Sequence, residues 1–252
     1  MQLSFDLEAA PLLPQLRARL VDFYGPQQPH RRMDPLSHLI KSVISSRTYD
    51  AVSWAAFLRL REAFPDWAML GETPPAQIEA ILGPVTHADR KARQLPVLIR
   101  VLQTRSHGLD LDFLGEHIVD QAVAWLRELP GVGPKSAAAT LNFSTLNKRA
   151  MVVDTHVHRV TRRLGLTSRT GDAAQAYETL MSLIPRDWTA EDLYELHWLL
   201  KGLGQDICSD PLALCGRCPL KDVCSRVDVE VRRAVVAFAP QSSRNLSQTP
   251  NS

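Results

Sequence analysis

The chain has 252 residues, enough to bury a sizeable core as one large domain or two small ones without disulfide staples. With 45% hydrophobic, 22% charged and 6% aromatic residues, it reads as an ordinary globular sequence, which excludes disorder as its main state. A formal charge of +2 is too small to announce a nucleic-acid partner by itself. The N-terminal MQLSFDLEAAPLLPQLRARL lacks a basic region followed by an apolar one, and no apolar run approaches the roughly 20 residues of a membrane span. The expectation is therefore a soluble, cytoplasmic protein with no membrane partner.

Helical periodicity runs through nearly the whole chain. Leu12, Leu13, Leu16 and Leu20 form one apolar stripe, which predicts the first helix. Asp34-Pro35 reads as an N-cap followed by proline at the first helical position. The apolar face Leu36, Leu39, Ile40, Val43 and Ile44 comes next, and the helix is expected to stop near Ser45-Ser46-Arg47. Asp50 is expected to cap AVSWAAFLRLREAF, which ends at Pro65, and Thr73-Pro74 to open a short helix through Ile78 and Ile81. From Arg90 to Leu102 the residues again suit a helix, which Pro96 should kink or break because proline donates no backbone hydrogen bond. Later helices are predicted over 118–127, 134–144, 154–164, 172–184 and 190–203, the last opened by the capping box Thr189-x-x-Asp192. The fold class is all-α. The closing APQSSRNLSQTPNS is polar and unpatterned, and is expected to be disordered.

Between two of these helices lies Leu129-Pro130-Gly131-Val132-Gly133-Pro134-Lys135-Ser136, in which two glycines permit backbone geometry that side chains would obstruct. Free amides of Val132, Gly133 and the following helix start are expected to face a phosphate, helped by the positive end of the helix dipole. A bare Gly-x-Gly can also be a plain interhelical turn. The flanking Leu126, Leu129 and Val132, with the small run Ala137-Ala138-Ala139, favour a helix-hairpin-helix that grips DNA. Lys135 then sits near the sugar of a bound strand and becomes a candidate nucleophile. A lysine with pKa about 10.4 is only about one part in a thousand neutral near pH 7.4, so an attacking amine needs activation. Lowering that pKa by roughly three corresponds to about 4 kcal/mol, within reach of desolvation and a positive helix end together. A phosphate clamp or a solvated surface lysine is the competing reading.

Nineteen residues beyond Lys135, Ala150-Met151-Val152-Val153 runs into Asp154-Thr155-His156-Val157-His158. Asp154 reads as the N-cap of the next helix, a role compatible with catalysis. His156 and His158 are two apart on a helix and point different ways, so packing or phosphate contact suits them better than metal binding. The four cysteines follow the pattern Cys208-x6-Cys215-x2-Cys218-x5-Cys224, which points to one local metal site, either structural zinc or an iron–sulfur cluster. Arg217, Lys221 and Arg226 beside them are candidate phosphate contacts.

LPGVGPKSAAA followed by VVDTHVHRVTRRLGL resembles the catalytic core of the endonuclease III family, within the helix-hairpin-helix DNA glycosylase superfamily, and the cysteine spacing resembles that family's iron–sulfur loop. The resemblance covers roughly residues 30 to 225. It implies a helical-barrel domain over 32–146 with the hairpin at about 118–144, a cluster domain from 1–31 plus 147–225, and a partly disordered tail over 226–252. It implies a [4Fe-4S] cofactor on Cys208, Cys215, Cys218 and Cys224, a Schiff-base lysine at Lys135 and a catalytic aspartate at Asp154. The implied partner is double-stranded DNA carrying damaged bases or abasic sites, bound by a nucleoid-associated monomer through Arg47, Leu129, Gly131, Val132, Gly133, Ser136 and His156. The implied activity is removal of oxidised pyrimidines with cleavage 3′ to the abasic site, with a monofunctional glycosylase or a noncatalytic DNA binder as alternatives. Two departures bear on specificity. Arg47 stands where the family often has the glutamine that fills the gap left by a flipped base. The 82–91 loop is longer than the family's wedge loop, leaving Val85 or His87 as candidate wedges.

Overall fold

A computed structural model describes residues 12–29 and 31–229. The described residues are helical, joined by turns, with only two isolated bridges, Met33 to Ser144 and Cys208 to Ala213. They divide into two compact units, one spanning Arg31–Lys148 and the other formed by the residues on either side of it.

Within Arg31–Lys148, α1 having ended at Tyr24 (Leu12–Tyr24), the helices are α2 (Pro35–Ser45), α3 (Asp50–Ala63), α4 (Pro75–Leu82), α5 (Ala88–Gln103), α6 (Val119–Arg127) and α7 (Pro134–Phe143). The Asp34 carboxylate accepts from Ser37 N at 2.8 Å with Pro35 at the helix start, the arrangement that begins α2 as expected. Helix α2 buries Leu36, Leu39, Ile40, Val43 and Ile44 and packs against α7, α3 and α5. Two expectations are corrected. Asp50 does not cap α3; Tyr49 holds that position without a side-chain bond, and Asp50 lies in the first turn, where a carboxylate still suits the positive helix end. Pro96 does not end α5, which continues to Gln103 because Ala92, Leu95, Pro96, Ile99 and Leu102 are all buried along it and their packing outweighs one absent hydrogen bond. Short 3₁₀ turns at Trp67–Gly71 and Asp112–Gly115 had no sequence signal strong enough to predict them.

The second unit holds α1, α8 (Thr155–Leu164), α9 (Ala173–Leu183), α10 (Ala190–Asp206) and a 3₁₀ turn at Cys215–Arg217. Both capping boxes close by reciprocal bonds, Thr189 with Asp192 and Asp172 with Gln175. Helix α10 packs on α8 and α1. The contact with α1 is fixed by Glu195, a buried carboxylate that accepts from Arg17 Nε at 2.7 Å and from Gln27 N at 3.0 Å. The sequence 230–252, expected to be disordered, lies outside the described residues.

Glu195→Ala strands the Gln27 amide and leaves Arg17 with Asp192 as its remaining carboxylate partner, at 2.8 Å. It is expected to lower the unfolding free energy by roughly 2 kcal/mol, measurable by urea denaturation, whereas an unchanged midpoint would show that this carboxylate does not hold α1 in place.

Candidate active site and nucleic-acid interface

The hairpin joins α6 to α7. Gly131 has φ of +79°, and a Cβ there would also press on the Gln94 amide at 3.3 Å, so the position requires glycine. Leu129, Val132 and Ser136 turn their side chains into the core, which leaves only backbone for any contact with DNA. The Val132 amide is not free as the sequence suggested, because it donates to Leu129 O at 3.1 Å to close the turn. Gly133 caps α7, and the space a Cβ would fill there is open, so a phosphate can approach the backbone. Pro134 carries no amide hydrogen, and the remaining first-turn amides are those for which an α-helix supplies no internal partner.

Lys135 is half-buried in that first turn, among positive groups. Burial, then repulsion by Lys135, pushes the Lys91 ammonium down to about 8. Burial first, then Lys41, Lys135 and Arg32, holds the His38 imidazole well below its ordinary range, so it is neutral.

Arg47 is exposed with φ of +55°, and His87, at the N-cap of α5, is exposed with φ of +56°. Val85 is only 4% exposed and belongs to the core, which removes it as a wedge and leaves His87. Lys91 was missed by sequence reading. Its signal was a lysine in line with Ala92, Leu95, Leu98 and Leu102 on the buried stripe of α5.

In the other unit, Asp154 caps α8 as expected, its Oδ1 accepting from His156 N at 2.9 Å and Val157 N at 2.8 Å. Burial opposes its ionisation, but His197, Lys201, the Val157 amide and His156 outweigh that and hold the carboxyl below its usual range. Burial likewise lowers the His156 imidazole. Arg159 Nη2 donates to His156 Nδ1 at 3.1 Å, which makes that nitrogen the acceptor of a neutral ring. His158 Nε2 bonds Gly171 O at 3.0 Å and is structural. Buried His197 bonds Val152 O through Nδ1 at 2.8 Å and so braces the approach to Asp154. Buried Lys201 places Nζ 4.6 Å from the Trp198 ring centroid. These two α10 residues, one turn apart, were also missed, since a lone histidine or lysine in a helix carries no sequence signal of its partner.

Cys208, Cys215, Cys218 and Cys224 all border one hollow of about 320 Å³ open to solvent, with Arg163, Lys221 and Arg226 on its walls. Among the described residues no three His, Cys, Asp or Glu side chains converge closely enough to hold a single metal ion. Arg163, buried, donates to Cys208 O and Ser209 O at 3.1 Å, approaches Cys208 Sγ at 3.5 Å, and pairs with Asp210. Arg226 N points at Cys224 Sγ at 3.4 Å. Burial, reinforced by the other three cysteines, pushes the Cys218 thiol up to about 11.

The family model for HhH-GPD superfamily base excision DNA repair proteins matches residues 40–186. Endonuclease III-like protein 1 of Gallus gallus is 32% identical over 187 residues, 74% of this chain and 62% of its own length, so this chain spans less than two thirds of that relative. Endonuclease III of Thermotoga maritima is 31% identical over 196 residues, 77% of this chain and 84% of its own. The solved structure of a trapped endonuclease III–DNA covalent intermediate aligns with a TM-score of 0.70 at 25% identity, covering 88% of this chain and 96% of that one. A thermostable thymine-DNA glycosylase shares the fold at 20% identity and a TM-score of 0.67.

An all-helical chain with a glycine hairpin leading into Lys135, matched over these lengths, is a member of the HhH-GPD superfamily of base excision DNA repair proteins. Within it, the chain belongs to the endonuclease III family.

Gly131→Ala forces a side chain into a left-handed backbone and is expected to cost about 1–2 kcal/mol and weaken DNA binding, read by thermal melting and a duplex titration. Asn caps helices as well as Asp, so Asp154→Asn isolates the charge. Because the folded carboxyl is held below its unfolded value of about 3.9, its stabilisation is present above that pH and fades as pH falls through the folded value. Wild type should thus exceed Asp154→Asn in stability at neutral pH, with the gap closing as pH falls below the ordinary carboxylate range. A gap independent of pH would refute the assignment.

Proposed function

We propose that the protein is a bifunctional DNA glycosylase and abasic-site lyase of base excision repair acting on double-stranded DNA. The observation that carries this reading is Lys135, an amine in the first turn of the helix that follows the glycine hairpin, close enough to Lys91 to repel its ammonium. A phosphate held at Gly133 brings the adjoining sugar to that amine. The damaged nucleotide leaves the stack, and neutral Lys135 attacks the sugar carbon bearing the base. The C–N glycosidic bond breaks, and the base departs with its electron pair and takes up a proton; the C1′–O4′ ring bond then opens, O4′ taking a proton from the lysine nitrogen, and the open-chain sugar remains as an imine on Lys135. That cationic imine acidifies the neighbouring sugar proton, whose removal expels the 3′ phosphate by β-elimination. Asp154, which the family resemblance makes the catalytic aspartate, is held ionised by His197 and Lys201, the charge state that role needs. Oxidised pyrimidines are the base class expected from the family, and the alignment with a trapped endonuclease III–DNA covalent intermediate supports a covalent step.

Cys208, Cys215, Cys218 and Cys224 are read as ligands of a [4Fe-4S] cluster. Four thiols around one hollow are the donor set a [4Fe-4S] cluster takes, and the resemblance of their spacing to the iron–sulfur loop of the family favours it over zinc. When bound, the cluster supplies cross-linking of the loop, and N–H groups of Arg163 and Arg226 face its sulfur ligands.

The test is reductive trapping. Cluster-loaded protein mixed with duplex DNA containing one abasic site and treated with borohydride is expected to give a covalent adduct that disappears in Lys135→Ala. Base release without any adduct from wild type would favour a monofunctional glycosylase using Asp154 and water, and an adduct retained by Lys135→Ala would place the nucleophile elsewhere.

A further inference from the structure

The Lys91 side chain is 4% exposed, which is rare for lysine, and no carboxylate explains it. Its Nζ donates to Ile44 O at 2.7 Å, Ser46 O at 2.6 Å and Thr48 Oγ1 at 3.0 Å, three acceptors for the three hydrogens of an ammonium. Ser46 and Thr48 flank Arg47 on either side. The carbonyls belong to the negative end of α2, where a cation is favoured, but this cation arrives from a helix more than forty residues away.

The left-handed backbone of Arg47 costs a non-glycine residue on the order of 1–2 kcal/mol and persists only where its surroundings fix it. Lys91 also lies in the first turn of α5, where its own amide donates to His87 O at 3.1 Å, closing the turn behind the second left-handed residue. One residue therefore holds two strained turns, with its backbone at His87 and its side chain around Arg47. Both turns present exposed side chains capable of hydrogen bonding and stacking, and Tyr49, 86% exposed, extends the first of them.

We infer that Lys91 is a positioning residue that clamps the Arg47 and His87 turns together, so that their side chains enter the duplex as a rigid pair where a nucleotide has left the stack. This rests on the proposed function, since it assigns those turns to lesion DNA. The chemistry recognised is the unpaired base opposite an abasic position, met by a guanidinium and an imidazole. Lys91 acts through Arg47 and touches neither the sugar nor the departing base. Its proximity to Lys135 adds that the clamp and the nucleophile lie in one positive cluster.

The experiment is a double-mutant cycle with a readout independent of strand cleavage. Wild type, Lys91→Met, Arg47→Ala and the double variant are titrated with duplex DNA carrying a non-cleavable abasic analogue opposite a fluorescent purine, and unfolding is followed in parallel. Lys91→Met and Arg47→Ala are each expected to weaken binding about tenfold and to blunt the fluorescence change, while the double variant loses no more than Arg47→Ala alone. Should Lys91→Met fail to fold, Thr48→Val removes one acceptor only and is expected to give a smaller loss that likewise vanishes in the Arg47→Ala background. Losses that multiply would overturn the clamp, because Lys91 would then act independently of Arg47. A wild type with no preference for the abasic analogue over intact duplex would instead overturn the proposed function, and the clamp with it.

Discussion

The two amide hydrogen bonds that Asp154 accepts from His156 and Val157 are the constraint on which its unit depends. They fix where α8 begins, and α8 then carries the rest. One turn along, Arg159 reaches His156 Nδ1, Gly204 O and Cys208 O; a further turn along, Arg163 holds Cys208 and Ser209. Gly204 is needed for the same reason, since a Cβ there would meet His156 Cβ at 2.8 Å and push α10 away from α8. The carboxylate proposed for chemistry and the loop proposed for the cluster are therefore held by opposite ends of one short helix.

In the Arg31–Lys148 unit the organising feature is local charge. A net charge of +2 conceals a concentration of cations around His38, where Arg32, Lys41 and Lys135 act, and Lys135 in turn repels Lys91. Two of these cations have backbone acceptors: Lys91 has two carbonyls and a hydroxyl, and Arg32 donates to Asn142 O. Carbonyl partners satisfy the Lys91 N–H donors without neutralising its charge.

The elements that depended on local physics were legible. Helix α2 began at Asp34-Pro35, α10 at its Thr189 box, and the Gly131 turn stood where two glycines required it. Asp154 was read as a helix cap from its place before a 3.6-residue pattern, and it is one. Errors came where tertiary burial overrode a local rule: Pro96 sits inside α5, and Val85, expected at a loop tip, lies in the core. The Val132 amide, expected to be free, is consumed in closing its own turn.

By itself the sequence determined the all-helical class, the hairpin, the cysteine spacing and the residue types of the candidate site, because caps, glycine geometry and periodicity act over a few residues. Only the tertiary structure decided that Lys91 would be buried under the Arg47 turn, that His197 and Lys201 would face Asp154, and that Arg159 and Arg163 would grip the cysteine loop. Those choices join residues that are more than forty positions apart. A buried charge has to find its partners in space, and no local pattern in a single sequence encodes which distant carbonyl or carboxylate that will be.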